Sequence, residues 1–188
     1  MVTSLTKSFS GYADVMGGSA APNPSSPLYS ELKPLFQKYY HNDLFSGDAE
    51  ILLHNSEDYL HRSEILNDNA ALLVNYLQSL ISDPKSSVNQ IYYPTASPTL
   101  SNYDAYKRLL TPDFQPGYGC LFSVELDNVG STIAFYNNLH VHDGPHLGAH
   151  RTLALPYVKG LYDDELEKMK KYRLEETQIR ISVGLENS

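Results

Sequence analysis

At 188 residues and 21.1 kDa, the chain is long enough to bury a real core, as one domain or two small ones. Its 22 acidic against 14 basic residues give a charge of −8 and a pI near 5.2, the wrong balance for neutralising nucleic-acid phosphates. A mean hydropathy of −0.35, no apolar run near the ~20 residues of a membrane helix, no signal-peptide core in Met1–Ser10 and Cys120 as sole cysteine predict a cytoplasmic protein with no nucleic-acid partner, membrane or disulfide framework.

Val2–Leu5 reads as a β-branched strand that ends at Thr6-Lys7, before a loop containing Gly11, Gly17 and Gly18. A helix is predicted from Ser26, with Pro27 at its first position, Leu28, Leu32 and Leu35 on one side, and Pro34 inside it. Residues 48–81 are helical in pattern, as one long helix or two in series, and Asp83-Pro84 stops them. Strands follow at Val88–Tyr93 and Gly119–Leu126, separated by a Pro/Ser/Thr-rich loop and a short helix over Asn102–Leu110. Asn128 is placed to cap a helix running to Asn138. Leu139–His142 and Thr152–Leu155 read as strands, and Asp163–Lys171 as a charged surface helix. Gln178–Gly184 alternates, with Ile179, Ile181 and Val183 inward and Arg180 and Ser182 opposite. Strands interleaved with helices predict an α/β or α+β sheet domain.

Ser4-Leu5-Thr6-Lys7 carries the sharpest chemical signal. On an extended segment the Ser4 and Thr6 hydroxyls share one face, with Lys7 following at the strand end. Two hydroxyls beside a lysine suit a phosphate, and a lysine of depressed pKa suits a covalent link to an aldehyde cofactor. On these four residues alone a surface lysine is the default reading, because short motifs recur by chance.

The surrounding sequence changes that weighting. The segment from Thr3 to Gly18 resembles the cofactor-lysine region of the Cys/Met-metabolism family of pyridoxal-phosphate (PLP) enzymes, with its Ser-x-Thr-Lys, a following aspartate (Asp14) and paired glycines. Asn69-Ala70, Tyr92-Tyr93-Pro94, Gly117–Leu126, Pro145-His-Leu-Gly148 and Arg180–Glu186 resemble later motifs of that family, in the same order. Within the family the wording is most similar to the fungal cystathionine γ-synthase branch. Tyr12 stands where the family pattern has histidine, and His146 where its loop has serine.

The resemblance implies a fold-type I, aspartate-aminotransferase-like α/β architecture. It assigns residues 1–57 to the end of the large PLP-binding domain, and residues 58–188 to the connecting helix and small C-terminal domain without its final helix. The family's upstream half supplies the ring-stacking aromatic and the aspartate facing the pyridine nitrogen, so a truncated, non-catalytic piece is the alternative. The resemblance further implies that Lys7 carries PLP and moves protons on the substrate, and that Ser4 and Thr6 bind the cofactor phosphate. Arg180 then holds the substrate carboxylate, with His146 as a further donor. The implied reaction is replacement of the acyl group of an acylated homoserine by cysteine to give cystathionine; γ-lyase and acylhomoserine sulfhydrylase chemistry are its relatives. Amino-acid substrates and a homo-oligomer, dimer or tetramer, complete the expectation.

His140, His142, His146 and His150 lie within eleven residues. A shared strand face for His140 and His142 is a spacing that some metal sites use. A polar loop beside a substrate cleft is the preferred reading, so no metal is expected. Cys120, next to Leu121 and Phe122, reads as a buried small side chain.

Overall fold

A computed structural model describes residues 1–187 and divides into two units, Met1–Tyr59 and Leu60–Ser188. In the first unit, β1 (Val2–Ser4) and β2 (Gly18–Ala20) form an antiparallel ribbon, Val2 facing Ala20 and Ser4 facing Gly18. The strand expected through Leu5 stops at Ser4. From Leu5 the chain folds into a turn, with the Ser10 N–H on the Leu5 carbonyl at 3.0 Å and the Gly11 N–H on the Lys7 carbonyl at 2.8 Å.

Helix α1 (Tyr29–Tyr39) begins three residues later than expected. Ser26 explains this: its hydroxyl accepts the Leu28 N–H at 3.3 Å and its carbonyl the Tyr29 N–H at 3.0 Å. That local bonding makes a turn ahead of the helix. Pro34 lies inside α1, and the helix buries none of its residues. The long helical pattern resolves into two helices in series, α2 (Ser46–Ser56) and α3 (Tyr59–Leu80). At the break the Ser56 hydroxyl donates to the Leu53 carbonyl at 2.8 Å. Back-bonding of this kind weakens a helix end.

The second unit is built on a sheet. Its elements in chain order are β3 (Val88–Tyr92), α4 (Leu100–Asp104), β4 (Leu121–Leu126), α5 (Val129–Asn138), β5 (His142–Asp143), β6 (Leu153–Leu155), α6 (Tyr157–Tyr162), α7 (Leu166–Lys170) and β7 (Gln178–Ser182). The strand order is β3-β4-β7-β6-β5, antiparallel except for the parallel β5–β6 pair. Asn128 caps α5 as expected, its Oδ1 accepting the Ser131 N–H at 2.9 Å.

Several boundaries move. Helix α4 is five residues, not Asn102–Leu110; Asp104, where it ends, is held by the Tyr118 hydroxyl at 3.0 Å and Lys107 at 3.3 Å. The charged segment from Asp163 splits into a 3-10 turn over Asp163–Glu165 and α7. Helix α6 was not legible, because Pro156 precedes it and Gly160 interrupts it. The strand expected over Leu139–His142 contracts to His142–Asp143, leaving His140 outside.

Leu66, Ala70, Val74 and Leu77 recur at helical spacing on α3 and join one buried cluster with Phe122, Val124, Ala154, Ile179 and Ile181. A fully buried side chain of this size contributes about 1.5–3 kcal/mol relative to exposure. The cluster therefore fixes which face of β7 turns inward. Ile179, Ile181 and Val183 are buried there, as the alternation predicts. Gln178, Arg180 and Ser182 occupy the opposite, polar face, with Arg180 in register with Ser123 of β4 and Leu155 of β6.

Candidate active site

In the first unit Ser4, Thr6 and Lys7 sit where ribbon passes into turn. Ser4 is the last residue of β1 and is exposed, whereas Thr6 and Lys7 are half-buried in the turn. Strand alternation therefore does not pair Ser4 with Thr6, because the strand has ended. Thr6 instead meets Gly17. Its Oγ1 accepts the Gly17 N–H at 3.1 Å and lies 3.4 Å from the Gly17 carbonyl. That carbonyl already takes the Leu5 N–H at 2.9 Å. The Thr6 hydroxyl hydrogen is thus held by a long contact to an acceptor that has a better donor. Among the described residues, no carboxylate forms an ion pair with the Lys7 amine.

A buried polar network fixes the loop beyond the lysine. Asn55 of α2 donates through Nδ2 to Ser10 Oγ at 3.0 Å and to the Asp14 carboxylate at 3.0 and 3.3 Å. Ser10 Oγ lies 3.3 Å from Asp14 Oδ1, and both Ser10 and Asn55 are buried. Leu52 of the same helix packs so closely on Gly17 that a Cβ there would lie 2.8 Å from its Cδ1. Asp14 and Gly17, which sequence marked by motif alone, thus acquire physical roles. Asn55, missed by sequence reasoning, is the one polar residue α2 buries.

In the second unit the polar face of β7 holds the Pro145–Gly148 loop. Arg180 donates through Nη2 to the Pro145 carbonyl at 2.8 Å, and Ser182 Oγ accepts the Gly148 N–H at 2.9 Å. The structure therefore brings Arg180 together with the loop that carries His146, itself half-buried. The Arg180 guanidinium carbon stands 4.8 Å from the centroid of the Tyr157 ring. Burial lowers the Arg180 pKa from its ordinary value, opposed by Tyr157; a guanidinium remains charged all the same. With one of five N–H donors given to Pro145, a fork remains that matches a carboxylate.

Neighbouring contacts anchor this strand. Asn69 of α3 donates to the carbonyls of Gly184 at 3.1 Å and Glu186 at 2.8 Å. The Glu186 carboxylate accepts the Thr152 N–H at 2.6 Å and the Thr152 hydroxyl at 2.8 Å. Asn67 Oδ1 accepts the Gly119 N–H at 2.8 Å. In the sequence Asn69 and Glu186 stand only as members of motifs, and Asn67 and Tyr157 carry no periodic or spacing signal.

His142 Nε2 is 3.3 Å from Arg151 Nη1, and since arginine only donates, that nitrogen is the acceptor. Among the described residues no three His, Cys, Asp or Glu side chains are grouped to hold a metal ion. None of the described helices is long and apolar enough to cross a membrane. Cys120 is buried one residue before β4, its sulfur 4.0 Å from Ser182 Oγ.

The family model described as "Cys/Met metabolism PLP-dependent enzyme" matches residues 1–188. A cystathionine gamma-synthase of Neurospora crassa is 38% identical over 188 residues, which cover 100% of this chain and 29% of that protein. A cystathionine gamma-lyase from Micromonospora echinospora superposes with a TM-score of 0.75 at 21% identity, covering 99% of this chain and 46% of its own. A putative O-acetylhomoserine (thiol)-lyase from Campylobacter jejuni, carrying N'-pyridoxyl-lysine-5'-monophosphate, gives 0.73 at 20% identity, covering 99% and 50%. The chain thus spans under a third of the curated relative and about half of the solved chains.

Proposed function

The chain belongs to the Cys/Met-metabolism family of PLP-dependent enzymes and has their fold-type I α/β architecture, and from this premise we propose that its residues serve a cystathionine γ-synthase-type γ-replacement within a complete enzyme of the family. The observation that carries the reading is the Lys7 turn. Lys7, which has no carboxylate ion-pair partner among the described residues, directly follows Thr6, whose hydroxyl hydrogen is loosely held, and lies three positions after Ser4, an exposed residue. Those donors fit PLP. The Lys7 amine would hold its aldehyde carbon, and the Ser4 and Thr6 hydroxyls would donate to its phosphate, Thr6 keeping the Gly17 N–H on its lone pair.

When bound, the cofactor supplies the electron sink for bond breaking next to an amino-acid α-carbon. The protein's part is orientation and proton handling. Lys7 takes and returns protons from its Nζ. Arg180 binds the α-carboxylate through the donors that Pro145 leaves unused, and His146 offers a further polar contact from the clamped loop. In the complete enzyme the proposed substrates are an acylated homoserine and cysteine, the product is cystathionine, and the assembly is a cytoplasmic homo-oligomer acting in methionine biosynthesis.

Reductive trapping tests the Lys7 assignment. After incubation with PLP and borohydride, a pyridoxyl-phosphate adduct is expected on the Lys7 peptide and absent from Lys7→Ala. Labelling confined to other lysines overturns it. Product analysis with acyl-homoserine and cysteine then separates the synthase from lyase and sulfhydrylase activity in the complete enzyme.

A further inference from the structure

The Tyr157–Arg180 pair has no counterpart in the sequence reading. Tyr157 opens α6 immediately after β6 and Pro156, so its ring reaches the polar face of β7 from the strand's neighbour. Its ring centroid stands 4.8 Å from the Arg180 guanidinium carbon, inside the range in which a cation is drawn to an aromatic face. The ring is itself braced: Tyr162, at the other end of α6, meets it at 5.8 Å and 65°. A second restraint is the 2.8 Å bond from Arg180 Nη2 to the Pro145 carbonyl.

An arginine side chain has four rotatable bonds, and ordering it on binding costs affinity. Here a carbonyl anchors one nitrogen and an aromatic ring supports the guanidinium, so two independent contacts restrict the head group beforehand. Lysine in place of Arg180 could not reproduce this, because an ammonium offers no plane to stack and no fixed fork.

We propose that Tyr157 is a positioning residue that pre-orients the Arg180 fork for the carboxylate of an amino-acid substrate. The proposal rests on the reading of Arg180 as a carboxylate binder. It concerns the ring of Tyr157 and not its hydroxyl.

The test follows the Arg180 Nε–H signal by NMR in the full chain, assigned by its loss in Arg180→Lys. The probe is L-homoserine, with L-homoserine amide as the control lacking a carboxylate. In the wild type the signal carries a ring-current displacement from Tyr157 and moves further with L-homoserine but not with the amide. Tyr157→Phe keeps both the displacement and, within about twofold, the affinity. Tyr157→Leu loses the displacement and weakens L-homoserine binding about three- to tenfold, the scale of a partly exposed cation–π contact. Tyr157→Met repeats the measurement should leucine disturb the fold, judged by dispersion of the remaining amide signals. A folded variant without the ring that binds L-homoserine as tightly as wild type overturns the proposal and leaves the carboxylate reading standing. A wild-type signal indifferent to the carboxylate removes the Arg180 reading and this proposal with it.

Discussion

Ser182 Oγ accepts the Gly148 N–H at 2.9 Å, from the same strand face on which Arg180 grips the Pro145 carbonyl. The loop bearing His146 is therefore held at both ends by side chains two residues apart on β7. Ser182 is 2% exposed, so no solvent stands ready to replace it. Ser182→Ala leaves a buried N–H without its acceptor, a cost of about 1–3 kcal/mol. Denaturant unfolding is expected to report that loss, and hydrogen exchange at Gly148 a local gain in opening. Unchanged protection at Gly148 would show that the hydroxyl does not hold the loop.

The loop beyond Lys7 depends in the same way on Asn55. Replacing it with leucine keeps apolar volume but strips the Asp14 carboxylate and the Ser10 hydroxyl of their shared donor. The expected cost is about 1.5–3 kcal/mol, the scale of a hydrogen bond to a charged acceptor, because Asp14 itself is exposed while the donor Asn55 is buried. Asp14→Asn combined with Asn55→Leu should cost less than the sum of the two single losses, because either substitution already breaks the same bond. Additive losses in that double-mutant cycle would refute the coupling.

How much of this was legible follows the range of the signal. Residues 178–183 could be read because the period-two alternation of Ile179, Ile181 and Val183 puts all three in one core cluster, although Gln178 and Ser182 on the polar face are buried as well. Asn128 could be read because a cap acts within three residues. Thr6 could not: its side-chain direction depends on whether the strand continues past Ser4, and the turn closed by Gly11 and Gly17 decides that. Family resemblance identified Lys7, Arg180 and the 145–148 loop as a set. The contacts that hold them, from Asn55, Ser182 and Tyr157, span 41, 34 and 23 positions to Asp14, Gly148 and Arg180. No local pattern encodes such pairs.

Two glycines should answer an alanine scan with opposite signs. At Gly184 a Cβ would collide with the Arg151 carbonyl carbon, and would sit 2.5 Å from Thr152 N and from Glu186 Oε2. These atoms are backbone or part of the Thr152–Glu186 clamp, so they cannot yield cheaply. Gly184→Ala is expected to lose about 2–3 kcal/mol. At Gly160, inside α6, the nearest atom is 3.8 Å away and the helix gains from the added propensity. Gly160→Ala should stabilise by about 0.5–1 kcal/mol. Urea midpoints of the two variants on opposite sides of wild type are the expected result, and a shared direction would contradict it.

Glu186 gives the clamp an acid limit. Burial alone would raise its carboxyl pKa, but the Thr152 N–H, its own backbone N–H, the Thr152 hydroxyl and nearby His142 together outweigh it and hold the value below the ordinary 4.5. A folded-state pKa lowered in this way contributes stability above the unfolded value and loses it as pH falls through the folded value. The stability gap between wild type and Glu186→Gln should therefore be constant near neutrality and close below about pH 4.5. Unfolding series from pH 7 to pH 3 measure it; a gap that widens on acidification would reverse the sign.

Alkaline pH should probe the other end of the sheet through Tyr92. Glu125 accepts from the Tyr92 hydroxyl at 2.6 Å, from Gln178 Nε2 at 2.9 Å and from Asn89 Nδ2 at 3.1 Å, linking β3, β4 and β7 on one face. Burial, then the bond to Glu125 and its charge, push the Tyr92 pKa from 10.0 up to about 12. The neutral phenol is the form the fold favours, so its contribution is complete below pH 10 and disappears as pH rises towards 12. Tyr92→Phe removes a hydrogen bond to a charged acceptor and should cost about 1.5–3 kcal/mol at pH 8. Between pH 10 and 12 the two proteins should converge. In ultraviolet titration the same variant should lack one late-ionising tyrosine, a class shared with Tyr136, which burial and Asp143 also raise to about 12. Loss instead of a tyrosine that ionises near pH 10 would mean that Tyr92 is not bonded to Glu125 in solution.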